Sequence, residues 1–166
     1  MPSNIRVTAL NFNEIIGRMG SAIIKVKAQV CIINNDKVLV YRVKDKKTGD
    51  HIYRLIGGWV EFGELSEKAA VREFFEETHI EVKIIKHLGC FESLYIRHGK
   101  PKHELVQVYQ CEFLDSAHLQ KDRIQLYEPG DILNDAEWVG AKFLSEKSTP
   151  FFPEKLKEIL IENKNI

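Results

Sequence analysis

The 166-residue sequence lacks the features of several special classes of protein. It has no excess of charge, because 24 Lys and Arg residues balance 24 Asp and Glu residues, so nothing predicts binding to nucleic acid or to a membrane surface. No apolar run approaches the roughly 18 residues that span a bilayer, and the first residues lack the apolar centre of a signal peptide. These absences predict a cytoplasmic protein.

Cysteine is also scarce, and its placement argues against a disulfide framework. Cys31, Cys90 and Cys111 are odd in number and widely spaced, and they form no CxxC motif. Isolated cysteines of this kind are typical of buried, reduced thiols, and we expect that state for all three. The length and a hydrophobic fraction of 44% favour a single domain over residues 1–166.

The pattern of apolar residues predicts a mixed α/β fold. Helical spacing predicts one helix capped by Ser66 and ending near Thr78, and a second helix over residues 153–162. Strands and helices mixed in this way predict a mixed sheet packed between helices. Turns are predicted at 34–36 and 98–101, and loops over 44–50 and 115–135. Strands are predicted over 22–33, 37–43, 52–55, 82–96, 104–113 and 136–139.

The first predicted helix has an acidic face. At about 100° per residue, Glu73, Glu76 and Glu77 fall within an arc of roughly 100°. A solvated helix face would also explain these charges, which repel by roughly a few tenths of a kcal/mol per pair. We expect the small residues Ala69 and Ala70 to keep the acidic side open. A separate arc is predicted to pack on the sheet, and it consists of Val71, Phe74, Phe75 and Thr78.

The residues upstream of this helix favour a metal site over a plain charged surface. Gly57 and Gly58 permit positive φ and a close approach of the backbone to a ligand, and we interpret them as a turn. Glu61 and Glu64 add carboxylates in the following loop. Mg²⁺ binds oxygen ligands and is commonly shared between carboxylates and substrate phosphates. Arg72 can form a fork-shaped pair with a carboxylate, although surface charge balance would also explain it.

This stretch resembles the Nudix box of the Nudix hydrolase superfamily. The box begins at Gly58, continues after five residues with Glu64, and after seven more with the run from Arg72-Glu73 to Ile80. Every charged position of the family pattern matches. Two positions depart from it, since His79 replaces a glycine and Ile56 stands where many members have proline. His79 follows a helix end, where histidine tolerates the left-handed conformation better than most residues do.

The resemblance implies an α/β/α sandwich with a central mixed sheet. It also implies a pyrophosphohydrolase that uses Mg²⁺, with Mn²⁺ as the alternative metal. The implied substrates are nucleoside diphosphates linked to another group, namely nucleoside triphosphates, ADP-ribose, nucleotide sugars or dinucleoside polyphosphates. Homodimers are common in the family, so a homodimer is a further expectation.

The family pattern also assigns roles to individual residues. The expected metal ligands are Glu73, Glu76, Glu77 and the backbone carbonyl of Gly57. Arg72 would hold the carboxylates in position through Glu64, and either Glu73 or a glutamate outside the box would be the general base. The resemblance therefore places catalysis at Glu64, Arg72, Glu73, Glu76 and Glu77.

Substrate contacts are expected outside the helix. Trp59 can stack on a base, although it can equally pack the loop. Tyr95 lies where some family branches have substrate-selecting residues, but an aromatic residue in a strand is also typical of the core. His103 and Glu104 begin a predicted strand and can reach the site, unless they form a solvent-facing pair at a sheet edge. The fallback candidates for a further metal ligand are Glu128 and Glu137.

Two other functions are compatible with such a fold. A catalytically inactive nucleotide-binding module would have lost box carboxylates, whereas this sequence retains all four. An isomerase acting on a diphosphate would need additional Cys and Glu residues in a deep pocket. The three cysteines lie in predicted strands without a supporting motif, so the hydrolase is the preferred hypothesis.

Overall fold

The computed structural model describes residues 23–44, 49–97, 100–128 and 131–162, so the predicted loop at 44–50 and turn at 98–101 lie partly outside them. The helices are α1 (Ser66–Thr78), α2 (Ala141–Ser145) and α3 (Leu156–Glu162), with a 3-10 helix over Ser116–Gln120. The strands are β1 (Ile24–Asn34), β2 (Lys37–Lys44), β3 (His51–Arg54), β4 (Ile56–Trp59), β5 (Val82–Arg97), β6 (Lys100–Phe113), β7 (Arg123–Glu128), β8 (Asp131–Gly140) and β9 (Phe151–Phe152).

The strands form a mixed sheet whose two halves share β1. In one half, β1 pairs in parallel with β6 and antiparallel with β4, and β5 pairs antiparallel with β6. The hairpin at Asn35 leads into the other half, where β2 lies between β3 and β8. β7 pairs with β8, and β9 pairs in parallel with β3. The predicted mixed sheet is confirmed.

Alternation along β1 builds one core on each face of the sheet. Val30 packs with Phe74 of α1, whereas the adjacent Cys31 packs with Leu144 of α2 and Leu156 of α3. This follows because successive residues of a strand point to opposite faces. Helix α1 therefore covers one face and α2 with α3 cover the other, which confirms the α/β/α layers.

Several local predictions are wrong at the helices. Leu65 is the N-cap of α1, and Ser66 is the first helical residue, where its Oγ hydrogen-bonds to Tyr109 Oη at 2.6 Å. The last helix begins at Leu156 rather than at Pro153, and the five residues of α2 are too few to show a helical period. Among the described helices the longest has 13 residues, and none is long and apolar enough to cross a membrane.

The polar segment 115–135 is not a loop, contrary to the prediction. It contains the 3-10 helix, all of β7 and the first residues of β8. Ile124 and Leu126 are buried, whereas their polar neighbours in β7 are exposed. This is the period-two pattern of a half-buried strand, which the high polar content of the segment obscures in the sequence.

The prediction for the cysteines holds for two of the three. All three thiols are free, and Cys31 and Cys111 are buried. Burial raises the pKa of each of these two thiols to about 12, and their mutual proximity adds to the effect at Cys31. The prediction is wrong for Cys90, which is exposed on β5, a strand at the edge of the sheet.

Candidate active site

The acidic arc of α1 lies against the sheet on one side. Glu73 is 17% exposed and Glu76 is 56% exposed, so the arc runs from the sheet out into solvent. Ala69 and Ala70 are fully buried, and the prediction that they keep the acidic side open is wrong. Their small side chains instead allow α1 to pack on β1 and β4. Phe75 was expected to pack on the sheet, yet it is 46% exposed.

Gly57 and Gly58 belong to β4 and do not form the predicted turn. Gly57 has φ +144°, and a Cβ there would lie 2.2 Å from the carbonyl oxygen of Ala28. A Cβ at Gly58 would lie 2.2 Å from Glu73 Oε2. The first glycine therefore allows β4 to approach β1, and the second provides the space that the Glu73 carboxylate occupies.

Arg72 is at the centre of a charged network. Its Nε and Nη2 donate to both carboxylate oxygens of Glu64, at 2.8 and 2.9 Å. Its Nη1 donates to Glu73 Oε1 at 3.0 Å and to Glu76 Oε2 at 3.1 Å. Nη2 also donates to the carbonyl oxygen of Trp59 at 3.0 Å. The fork-shaped pair expected between Arg72 and Glu64 is thus formed, and the hydrogen bond to Trp59 joins α1 to the end of β4.

These contacts favour the ionised forms of Glu64 and Arg72. The Arg72 guanidinium, followed by the backbone N–H of Glu61, lowers the pKa of the Glu64 carboxyl to about 2. The hydrogen bond to Glu64 is the main contact that raises the pKa of Arg72 above its ordinary value, and Glu73 contributes further. Arg72 therefore offsets part of the repulsion among the neighbouring glutamates at neutral pH.

The charge of Glu77 acts on Tyr41, which lies in β2. Burial raises the pKa of Tyr41, the charge of Arg54 opposes this rise, and the negative charge of Glu77 adds to it. Tyr41 and Arg54 are directly opposite each other in β2 and β3. Glu77 therefore shares its surroundings with a tyrosine and with a cation that the sequence analysis did not single out.

Three of the four residues predicted to contact substrate form one connected group. Tyr95 Oη donates to Glu104 Oε1 at 2.7 Å. Lys27 Nζ lies 3.3 Å from Glu104 Oε2 and 4.3 Å from the centroid of the Trp59 ring. Lys27 was not predicted, although the alternation of Lys25 and Lys27 with apolar residues was a signal that both point to one face of β1.

His103 does not join this group. Its Nε2 is 2.7 Å from Glu92 Oε1. Because neighbouring residues of a strand point to opposite faces, His103 lies on the other side of the sheet from Glu104. From the sequence, a solvent-facing pair of His103 and Glu104 was the alternative to substrate contact. His103 does form a pair, but its partner is Glu92 and not Glu104.

The family model of the NUDIX domain matches residues 24–157. The chain belongs to the Nudix family. The match extends from the first residue of β1 to the first turn of α3, and it includes the whole Arg72 network. The resemblance of residues 58–80 to the Nudix box is thereby confirmed.

Curated relatives of this Nudix chain are similar over part of their length. The chain is 36% identical over 93 residues to the NAD-capped RNA hydrolase NudC of Actinobacillus succinogenes, which covers 56% of this chain and 30% of that protein. It is 39% identical over 59 residues to NudC of Edwardsiella ictaluri, which covers 36% of this chain and 22% of that protein. The chain thus covers less than a third of the length of either relative.

Solved structures agree on the Nudix fold. The MutT protein of Methanosarcina mazei Go1 superposes with a TM-score of 0.60 at 17% identity, covering 88% of this chain and 99% of that one. A UDP-X diphosphatase superposes with a TM-score of 0.58 at 19% identity, covering 92% and 69% of the two chains. At such identities the likeness shows the fold alone.

Both departures from the Nudix pattern are accommodated. His79 has φ 57°, its N–H donates to the Phe75 carbonyl at 2.7 Å, and its ring stacks on Tyr127 with centroids 4.5 Å apart. The expected left-handed end of α1 is therefore confirmed with histidine in place of glycine. Ile56 is fully buried beneath α1 and pairs with Val30 of β1.

The donor set of the Nudix box fits a hard divalent cation. Glu73, Glu76, Glu77 and the carbonyl of Gly57 offer oxygen alone, which suits Mg²⁺ or Mn²⁺. The space above Gly58 accommodates one of these carboxylates at the sheet. Within the described ranges, no three acidic, His or Cys side chains already converge as metal ligands, and Arg72 holds two of the glutamates. The donors therefore fit a divalent cation by their chemistry and their location, and not by a ligand geometry that is already formed.

Other candidate positions lie away from this network. Glu137 is paired with Arg42 at 2.7 Å, and the side chain of Glu128 is outside the described residues. A cavity of about 580 Å³ lies between β5 and the segment that contains β9, and Tyr95 and Phe152 are among its lining residues. None of the described box carboxylates lines it. Tyr95 connects this cavity to Glu104.

Proposed function

We propose that this Nudix chain is a Mg²⁺-dependent pyrophosphohydrolase that cleaves a nucleoside diphosphate linked to another group. The Arg72 network carries the proposal, because one guanidinium holds Glu64, Glu73 and Glu76 within 3.1 Å. A charged helix face that only interacts with solvent would not need this organisation. The names of two similar proteins, an NAD-capped RNA hydrolase and a UDP-X diphosphatase, support a substrate of this class.

Each residue of the network has a proposed task. A divalent ion at this site would neutralise phosphate charge and lower the pKa of the attacking water. Glu73, Glu76, Glu77 and the Gly57 carbonyl would hold that ion. Arg72 and Glu64 would keep the carboxylates in place, so that less conformational freedom is lost during binding. Either Glu73 or a glutamate outside the box would accept the proton of the water.

The thiols provide no support for an isomerase. Cys31 and Cys111 are buried, and burial raises the pKa of each to about 12, so neither thiol exchanges a proton readily at neutral pH. Cys90 is exposed at the sheet edge and is not among the residues that line the cavity between β5 and the segment containing β9. These positions favour hydrolysis, which needs no thiol.

The proposal is tested by a phosphate-release screen over nucleoside diphosphate derivatives, in Mg²⁺ and in EDTA. We expect EDTA-sensitive turnover of one class of compound. Glu77→Gln is expected to reduce this turnover to below roughly a tenth of wild type, because a carboxylate ligand is lost. Glu67→Gln is the matched control, since Glu67 is exposed on the same helix and forms no ion pair with the described residues.

Two results would contradict the proposal. Retention of more than about a tenth of the turnover by Glu77→Gln at saturating Mg²⁺ would exclude the assigned role of that carboxylate. Nucleotide binding that is not followed by Mg²⁺-dependent phosphate release would instead indicate the inactive nucleotide-binding module.

A further inference from the structure

Two lysines of β1 share one aromatic ring. Lys25 Nζ and Lys27 Nζ each lie 4.3 Å from the centroid of the Trp59 ring. Such cation–π contacts stabilise an ammonium group, but two positive charges on the same ring repel each other. The arrangement therefore concentrates positive charge in a chain whose formal net charge is zero.

One of the two charges is balanced by a buried carboxylate. Glu104 is 3% exposed, and its Oε2 lies 3.3 Å from Lys27 Nζ, an ion pair without hydrogen-bond geometry. Tyr95 holds the other carboxylate oxygen at 2.7 Å. These contacts fix Lys27, whose side chain is 12% exposed. Lys25 is exposed and forms no ion pair with any described residue, so its charge is available to an anion.

The lysine pair is linked directly to the Arg72 network. The carbonyl oxygen of Trp59 accepts the hydrogen bond from Arg72 Nη2 at 3.0 Å. The next residue, Val60, donates its N–H to the carbonyl of Val26, which lies between the two lysines in β1. The two lysines have the same parity in β1 as Cys31, so they lie on the face of the sheet opposite α1. The backbone of Trp59 and Val60 connects the two faces at the end of β4, and a phosphate chain that passes this end could contact both the lysines and the box carboxylates.

We propose that Lys25 and Lys27 bind an additional phosphate of the substrate, next to the diphosphate that is hydrolysed. This inference rests on the proposed function and narrows it to substrates with three or more consecutive phosphates, such as nucleoside triphosphates or dinucleoside polyphosphates. ADP-ribose and nucleotide sugars carry a neutral sugar where the lysines require an anion. Trp59, for which stacking on a base and packing of the loop were both predicted as alternatives, contacts the two ammonium groups and positions them.

The binding site itself is tested without catalysis, by calorimetric titration of inorganic tripolyphosphate in EDTA. Wild type is expected to bind it saturably, and Lys25→Met is expected to weaken binding by about tenfold through loss of a charged contact. Lys37→Met is the matched control, because Lys37 follows the other end of β1, roughly 30 Å away. Lys25→Met is the deciding variant, since Lys27→Met also removes the partner of a buried carboxylate. No binding by wild type, or equal binding by Lys25→Met, would overturn the proposal.

The substrate class is tested by steady-state kinetics in Mg²⁺ with a nucleoside triphosphate and with ADP-ribose. Lys25→Met is expected to raise KM for the triphosphate about tenfold, with little change in kcat and no change for ADP-ribose. An equal change for both compounds would overturn the assignment. If no compound is hydrolysed, the proposed function fails, and the tripolyphosphate titration still decides whether the lysines form an anion site.

Discussion

The two charged clusters of this chain are built in different ways. The Arg72 network comes from one helix and the segment just before it, and Glu76 at its edge is 56% exposed. The cluster around Glu104 combines side chains from β1, β4, β5 and β6, and Glu104 is 3% exposed. The first cluster is local and partly solvated, whereas the second is assembled by the sheet and buried.

This difference predicts what each cluster contributes. Exposed ion pairs contribute about 0–1 kcal/mol to stability, because solvent screens them. Removing one member of a buried pair costs about 3–5 kcal/mol, because the other charge remains buried without a partner. We therefore expect changes in the Arg72 network to reduce activity more than stability. Changes at Glu104 should reduce the free energy of unfolding directly.

The largest expected effect is a difference in stability between variants of the two adjacent glycines of β4. Gly57→Ala should lower the free energy of unfolding by about 4 kcal/mol, because its Cβ meets the backbone of β1 at a positive φ. Gly58→Ala should cost about 1 kcal/mol or less, because its Cβ meets a side chain that can turn away. Turnover by Gly58→Ala should nevertheless fall at least about tenfold, since Glu73 is displaced. Urea denaturation and the phosphate-release assay measure the two quantities.

Gly140→Ala is the control for these variants, because no neighbouring atom of the described residues lies within 4 Å of a Cβ built at that position. It should change neither stability nor turnover appreciably. Equal losses of stability in Gly57→Ala and Gly58→Ala would contradict the prediction that Gly57 contributes mainly to stability and Gly58 mainly to turnover.

The next effect compares a buried and an exposed glutamate. Glu104→Ala should lower the free energy of unfolding by about 3 kcal/mol, because it removes a buried carboxylate and its ion pair with Lys27, whose side chain is 12% exposed. Glu76→Gln should change it by less than about 1 kcal/mol. Adding Lys27→Met to Glu104→Ala should recover part of the loss, and a double-mutant cycle measures the coupling. Additive losses in the double variant would argue against a direct interaction.

The smallest effect is the dependence of stability on pH that Glu64 contributes. Its pKa is lowered from 4.5 to about 2 in the folded chain, so its stabilising contribution is complete above pH 4.5. That contribution is lost as pH falls from 4.5 towards 2. Glu64→Gln should therefore show a shallower decline in urea stability over this range than wild type does. Glu67→Gln should decline as wild type does, and identical slopes in all three proteins would contradict the assignment.

The local parts of the site were predictable from the sequence. The spacing of Glu73, Glu76 and Glu77 follows from helical geometry, and the pair between Arg72 and Glu64 follows from the box pattern. The glycines were correctly associated with the site, but their strand conformation was not predicted. A glycine pair carries no signal of strand pairing, because that pairing depends on β1, which lies far away in the sequence.

The distant parts of the site were predictable only as candidates. Tyr95, His103 and Glu104 were equivalent in the sequence, yet the hydrogen bond between Tyr95 and Glu104 separates them from His103. The residues of α1 that pack on the sheet were also not predictable from the sequence alone. Ala69 and Ala70 are in contact with the sheet and Phe75 is not, because the angle at which the helix packs depends on the partner surface.

The sequence by itself determined the family, the layered α/β fold and the acidic face of α1. These depend on residue spacings within one element or one motif, and local geometry translates such spacings directly into structure. Only the tertiary structure decided that Lys25 and Lys27 share the Trp59 ring and that Glu104 is buried beside Lys27. Those contacts join strands that are far apart in the sequence, and the register of the sheet alone brings them within reach of one another.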